Sequence, residues 1–194
     1  DLHVRFGRAH ILQGVSLSLS KEPLSLVGRN GMGKSTLCHA IMGMVAAQSG
    51  HIRLDDEDLV GLNPNRVARN GIALVPQGRR MFPSLSVHEH LTLVARKGDV
   101  PWTVERVYET FPRLAERRRN GGNQLSGGEQ QMLAISRALL MNPRIVIMDE
   151  PSEGLAPVIV DHLVETLKQI ASEGMGVLLV EQNMRVATAV SETV

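Results

Sequence analysis

Two glycine turns carry the residues best suited to chemistry. In Gly28-Arg29-Asn30-Gly31-Met32-Gly33-Lys34-Ser35-Thr36, a run of glycines leads into a lysine and two hydroxyls. Gly28, Gly31 and Gly33 permit tight or positive-φ geometry, so backbone N–H groups, with Asn30 among them, can turn inward around phosphate oxygens. At that spacing Lys34 would neutralise β- and γ-phosphate charge, Ser35 would place its hydroxyl on Mg²⁺, and Thr36 could reach an α-phosphate. The second turn, Leu125-Ser126-Gly127-Gly128-Glu129-Gln130-Gln131, offers an exposed hydroxyl, two glycine N–H groups and a helix start, which together suit an anion. One nucleotide needs one cradle, so the economical expectation is that this turn reaches the terminal phosphate held by a neighbouring subunit. An ordinary N-capped helix would use the same residues.

Asp149-Glu150 is the acidic counterpart. Asp149 closes an apolar run, where its carboxylate can complete a Mg²⁺ shell through water. Consecutive acids at a strand end point in different directions, so Glu150 is free to accept a proton from attacking water, which favours hydrolysis over transfer to a second substrate.

These residues must be held by alternating strands and helices. Val15-Ser16-Leu17-Ser18-Leu19 alternates as a half-buried strand does, and Leu24-Ser25-Leu26-Val27 runs straight into the first glycine turn as a more buried one. A helix is expected from Lys34 to about Met44, with Leu37, Ala40, Ile41 and Met44 at helical spacing and Gly43 near its end. Ile72-Ala73-Leu74-Val75 reads as a strand stopped by Pro76, which puts Gln77 at its carboxyl end, where parallel sheets bind ligands. Ile145-Val146-Ile147-Met148 and Val177-Leu178-Leu179-Val180 are all-apolar and read as central parallel strands. Between them Val160, Leu163, Val164, Leu167, Ile170 and Ala171 mark an amphipathic helix stopped by Gly174. From Arg79 to Asn142 the strand signal vanishes. Ser86-x-x-Glu89 is a capping box, Thr103 caps a second helix, and Gly128 to Met141 forms a third, so this stretch reads as a helical insertion.

Composition narrows the function class. The 21 Lys+Arg against 20 Asp+Glu leave no basic footprint for nucleic acid. The single cysteine, Cys38, excludes an intrachain disulfide and fits a reducing, cytosolic compartment; on the inner helix it reads as a small buried hydrophobe. No apolar run reaches membrane-span length, so a membrane role must come through a partner. His88-x-His90 falls on opposite sides of a helix and reads as solvated surface, and Arg117-Arg118-Arg119 as a solvated helix end. Met81, Phe82 and Leu85 stay open between ordinary core and a docking groove.

The order of the glycine loop, Gln77, Leu125-Ser-Gly-Gly-Glu-Gln-Gln, Met148-Asp149-Glu150-Pro151 and Glu181-Gln182 resembles an ATP-binding cassette (ABC) ATPase over nearly the whole chain. Val75-Pro76-Gln77-Gly78-Arg79-Arg80-Met81-Phe82-Pro83, Phe111-Pro112-Arg113-Leu114, Asp149 to Pro157 and Val180-Glu181-Gln182-Asn183 look like the second ATPase subunit of branched-chain amino acid importers; urea and short-chain amide importers carry similar motifs. The resemblance implies an α/β P-loop NTPase fold, with a RecA-like parallel sheet core, an antiparallel β subdomain and an ABC helical subdomain. The whole chain, 1–194, would be one ATP-binding domain, its ATPase core at 1–78 and 143–194 and its helical subdomain at 79–142. It implies ATP and Mg²⁺ as ligands, with Phe6 stacking on adenine, Gln77 joining Mg²⁺ to the helical subdomain, and Glu150 as catalytic base. Ser126, Gly127 and Gly128 would clamp the ATP of the opposite subunit. A second ATPase subunit, permease subunits and indirectly a solute-binding protein are the implied partners, at the cytoplasmic face of a membrane.

Several positions depart from the general ABC pattern. Gln182 stands where the family has a switch histidine, Ala156 where an aspartate is usual, and Phe6 where the stacking residue is commonly tyrosine. A glutamine amide can donate to a γ-phosphate oxygen but carries no charge, so weaker phosphate polarisation is expected at this site. Near Lys21-Glu22-Pro23 the usual glycine is missing, and the family normally continues past Val194 into closing strands, which implies a longer native chain.

Overall fold

The computed structural model describes residues 1–98 and 100–194. Strands β1 (Leu2–Phe6) and β2 (Ala9–Val15) pair antiparallel, Phe6 opposite Ala9, around a turn at Gly7. The inner residues Leu2, Val4 and Leu12 pack on Leu37 and Ala40 of helix α1 (Lys34–Ile41). Strand β3 (Leu24–Val27) precedes that helix. The short strands β4 (Arg53–Leu54) and β5 (Glu57–Asp58) form a second antiparallel pair, and α2 (Pro64–Arg69) starts at Asn63, whose side chain accepts the Arg66 N–H. Strands β6 (Ile72–Val75), β7 (Ile145–Asp149) and β8 (Gly176–Glu181) join β3 in one parallel sheet of order β3-β8-β7-β6. The all-apolar runs do occupy its centre: β7 and β8 are almost wholly buried, as parallel strands covered on both faces must be.

Between β6 and β7 lie α3 (Val87–Val94), α4 (Val104–Thr110), α5 (Pro112–Glu116) and α6 (Gly127–Leu139), with a 3₁₀ turn at Gly122–Gln124. The caps expected at Ser86 and Thr103 form, and Ser126 caps α6 through a reciprocal box with Glu129. Trp102, Phe111, Leu125, Leu133 and Leu139 share one continuous core with Val146, Met148 and Leu179 of the sheet. Helices α7 (Pro157–Ser172) and α8 (Met184–Val190) complete the chain; α7 turns Val160, Leu163, Val164, Leu167 and Ile170 inward and is followed by Gly174 at φ 90°.

Three expectations need correction. Only Val15 of the alternating run 15–19 is in a strand, its pairing with β1 reaching as far as Leu2↔Val15. Helix α1 ends at Ile41 and leaves Met44 exposed: Gly43 takes φ 69°, and a Cβ there would sit 2.2 Å from the Leu62 carbonyl oxygen. His90 is fully buried rather than solvated, since α3 packs on α6 and the loop after β6 folds over it. Its Nε2 accepts the Phe82 N–H at 2.9 Å and its Nδ1 donates to the Ser86 carbonyl at 2.8 Å, a pairing that requires the neutral ring, and burial lowers its pKa in the same sense. His88, by contrast, bonds the Tyr108 hydroxyl at 3.0 Å, and Arg117 reaches Glu129 at 3.7 Å. Phe82 is half exposed, with the Arg137 guanidinium 5.4 Å from its ring, while Met81 packs against the core.

Asn142 staples the segment before α4 to the end of α6. Its side chain accepts the Trp102 N–H at 2.8 Å and donates to the carbonyls of Trp102 at 3.0 Å and Leu140 at 3.2 Å, from a backbone at φ 49°. Asn142→Ala loses all three bonds and is expected to cost about 2 kcal/mol in urea unfolding. Asn142→Gly, which relieves the left-handed backbone, should recover roughly 1 kcal/mol of that.

Candidate active site

The parallel sheet gathers the chemical residues at one end. Val27, Val75, Asp149 and Glu181 are the last residues of their strands, so Gly28, Gln77 and Glu150 all follow at the carboxyl edge. Gly28 is held there by its N–H bond to the Glu181 carbonyl, 3.3 Å. The glycine loop then turns through Gly31 at φ 82° and Gly33 at φ 88° into α1, whose first residue is Lys34. Gly33 is required twice over: a Cβ would be in the left-handed region and 3.1 Å from Ile11 and Leu12 of β2. The same approach sets the β1–β2 hairpin beside the loop, with Phe6 half exposed at the end of β1.

Lys34 is buried, and its Nζ donates to the carbonyls of Gly28 at 2.8 Å and Arg29 at 3.1 Å and meets Glu150 Oε1 at 2.9 Å. Glu150, also buried, adopts φ 51° and is fixed by its N–H bond to the Val180 carbonyl at 2.8 Å. That left-handed residue explains how neighbouring acids diverge: β7 ends at Asp149, and the reversal at Glu150 sends its carboxylate to the lysine. Gln77 Nε2 donates to Glu150 Oε2 at 3.4 Å and to Glu153 Oε2 at 2.9 Å.

Asp149 faces the inner side. Its Oδ1 is buried without a hydrogen-bond partner among the described residues. Burial pushes its pKa above the usual aspartate range, Ser35 beside it pulls back, and the Glu150 charge pushes up again. An orphaned carboxylate oxygen costs free energy unless a cation or water meets it. With the Ser35 hydroxyl close by, the donors are hard oxygens of the kind that Mg²⁺ takes, usually keeping several of its own waters. Among the described residues no group of three or more His, Cys, Asp or Glu converges as a metal cage.

Two residues important to this geometry carried no role in the sequence reading. Glu181 is buried and accepts three backbone N–H bonds, from Ser152 at 3.0 Å, Gln182 at 3.1 Å and Asn183 at 3.2 Å, tying the turn after the acids to the turn after β8. Its signal was the repeated pattern of an acid ending an apolar strand, as at Asp149. Glu153 had no comparable signal, since its contact with Gln77 joins residues remote in sequence. Gln182 is exposed, and among the described residues its side-chain amide has no hydrogen-bond partner. Ser126, Gly127 and Gly128 lie apart: among the described residues no hydrogen bond joins them to the glycine loop or the acids, and the Ser126 hydroxyl accepts the Glu129 N–H at 3.3 Å. The chain thus brings Lys34, Gln77 and Glu150 into direct contact, with Asp149 adjoining Glu150.

This arrangement has close parallels. Residues 12–153 match the family model described as ABC transporter. The chain is 44% identical over 191 residues to the high-affinity branched-chain amino acid transport ATP-binding protein BraG of Pseudomonas aeruginosa, covering 96% of this chain and 82% of that protein. It is 34% identical to the lipopolysaccharide export system ATP-binding protein LptB of Escherichia coli, covering 94% and 78%. A solved ATP-binding subunit of an ABC transporter superposes with a TM-score of 0.85 at 28% identity, over 99% of this chain and 81% of that one. A dimeric bacterial ABC transporter cassette gives 0.80 at 27%, over 96% and 87%. Motif order, sheet topology and these likenesses agree, and the chain belongs to the ABC transporter family as an ATP-binding, ATP-hydrolysing cassette.

Proposed function

We propose that this cassette powers uptake of branched-chain amino acids, as one of two ATPase subunits on the cytoplasmic face of a membrane permease. The observation that carries the solute class is the 44% identity to BraG over nearly the full chain, supported by 32% to the probable branched-chain amino acid transport ATP-binding protein LivF of Archaeoglobus fulgidus. Among the described residues no helix is long and apolar enough to cross a membrane.

In this reading Gly28, Asn30, Gly31 and Gly33 turn backbone N–H groups to the phosphates, Lys34 and Thr36 take phosphate oxygens, and Phe6 stacks on adenine. Ser35, Asp149 and Gln77 would hold Mg²⁺, which supplies charge neutralisation for the phosphates. Glu150 accepts the proton of the attacking water, while Gln182 donates to the γ-phosphate from its uncharged amide. Ser126, Gly127 and Gly128 serve a nucleotide held by the second ATPase subunit, a role supported by their having no hydrogen bond to this chain's own glycine loop among the described residues. The subunit pair closes on two shared nucleotides and reopens after hydrolysis, with residues 79–142 acting as the helical subdomain that passes this motion to the permease.

The test is ATP turnover by the chain assembled in lipid vesicles with a second ATPase subunit, permease and solute-binding protein. Leucine, isoleucine or valine should raise turnover several-fold and accumulate inside. Stimulation by urea or short-chain amides instead, with none by these amino acids, would reassign the solute.

A further inference from the structure

The side-chain amide of Gln77 has a donor end and an acceptor end, and its neighbours decide which way it points. Carboxylates only accept, so the group facing Glu150 and Glu153 is the NH₂. The shorter bond, 2.9 Å, goes to Glu153 and the longer, 3.4 Å, to Glu150. With the NH₂ committed to the acids, Oε1 is directed away from them. The opposite orientation would present two protons to a cation, which no amide ligand does.

Glu150 is a poor anchor for this orientation. It is already paired with Lys34, and in the reading above it gains a proton during each turnover, which removes its value as an acceptor. Glu153 has neither commitment, and its backbone is braced from two sides. Its N–H donates to the Glu150 carbonyl at 3.2 Å, and its own carbonyl accepts Arg79 Nη2, also at 3.2 Å. Arg79 reaches it because Gly78, Arg79 and Arg80 take φ of 82°, 60° and 44°, reversing the chain just after Gln77. The same guanidinium lies against the start of α6, where a Cβ on Gly127 would be 3.0 Å from Nη1.

We propose that Glu153 is a positioning residue: its carboxylate fixes the Gln77 amide with the NH₂ toward the acids and the oxygen toward the divalent cation, and Arg79 holds Glu153 in place. The inference rests on the reading that Gln77 serves a nucleotide-bound cation. It also makes Glu153 the link between that amide and the second glycine turn, through Arg79.

The experiment uses Glu153→Ala and the conservative Glu153→Gln, which keeps an acceptor oxygen. In ¹⁵N-labelled chain free of metal and nucleotide, the Gln77 side-chain NH₂ signals, assigned by their loss in Gln77→Ala, should sit away from free-amide positions. They should return to free values in Glu153→Ala and stay near wild type in Glu153→Gln. In the assembled complex, Glu153→Ala should raise the Mg²⁺ concentration for half-maximal turnover about tenfold, as loss of a residue orienting a metal ligand does. ATP affinity measured in EDTA should not change, and Glu153→Gln should restore most of the Mg²⁺ response. Unmoved Gln77 signals in Glu153→Ala, or an unmoved Mg²⁺ midpoint with merely lower turnover, would overturn the proposal. Absence of Mg²⁺-dependent hydrolysis in the wild-type complex would instead overturn the reading of the site, and the metal-free spectra would then decide the amide's orientation alone.

Discussion

Glu150→Gln is expected to lower ATP turnover at least about a hundredfold while nucleotide affinity stays within a few-fold of wild type, the loss typical of removing a positioned general base. The substitution keeps the side chain's shape and lets an amide oxygen still accept from Lys34 Nζ, now 2.9 Å from Oε1. It removes the one capability that matters, taking a proton. The left-handed backbone at φ 51° and the bond from its N–H to Val180 are untouched, so the fold should hold. Phosphate release at saturating Mg·ATP, beside equilibrium nucleotide binding, separates the two effects. Turnover within a few-fold of wild type would remove Glu150 from the role of base.

Lys34→Ala should damage both binding and stability. Its Nζ meets the carbonyls of Gly28 and Arg29 as well as Glu150, with both charged side chains almost fully buried, 6% and 7% exposed. Removing one partner of such a pair leaves an uncompensated buried charge, a loss of about 3–5 kcal/mol. That is a large share of the roughly 5–15 kcal/mol by which a domain is stable. The paired variant Lys34→Ala with Glu150→Gln relieves the stranded charge and should recover most of the urea midpoint. Nucleotide binding should remain lost in both, since the phosphate charge then has no lysine to meet it. Equal unfolding midpoints for the single and paired variants would show that the ion pair contributes little to stability.

The glycine loop, the acid pair and the buried strands β7 and β8 were legible because each is a local pattern: spacing of glycines, acids after an apolar run, apolar residues without alternation. The capping box at Ser86 was legible for the same reason, donor and acceptor being three residues apart. What escaped depends on chain segments that meet only in the fold. His90 carries the pattern of a surface helix residue, and nothing nearby in sequence announces that the 79–85 loop will cover it. The run from Val15 to Leu19 has the right alternation for a strand, yet β2 ends at Val15, and alternation alone does not say where pairing stops. Glu153 sits 76 residues from Gln77, and Asn142 40 from Trp102, so neither bond has a sequence signature. The two-residue strands β4 and β5 and the short helices α2 and α8 were too brief for periodicity to register.

Cys38 offers a use that its burial creates. It is the sole thiol in the sequence, fully enclosed between α1 and the sheet, and burial raises its pKa well above the ordinary thiol range, with the Asp149 charge pushing the same way. Only the thiolate reacts readily, so in the closed molecule an alkylating reagent has neither access nor a nucleophile. The rate at which such a reagent labels the chain therefore clocks the opening of the core directly beneath the glycine loop. A nucleotide that clamps this region should slow the clock, and the slowing measures how firmly the ligand grips its own foundation.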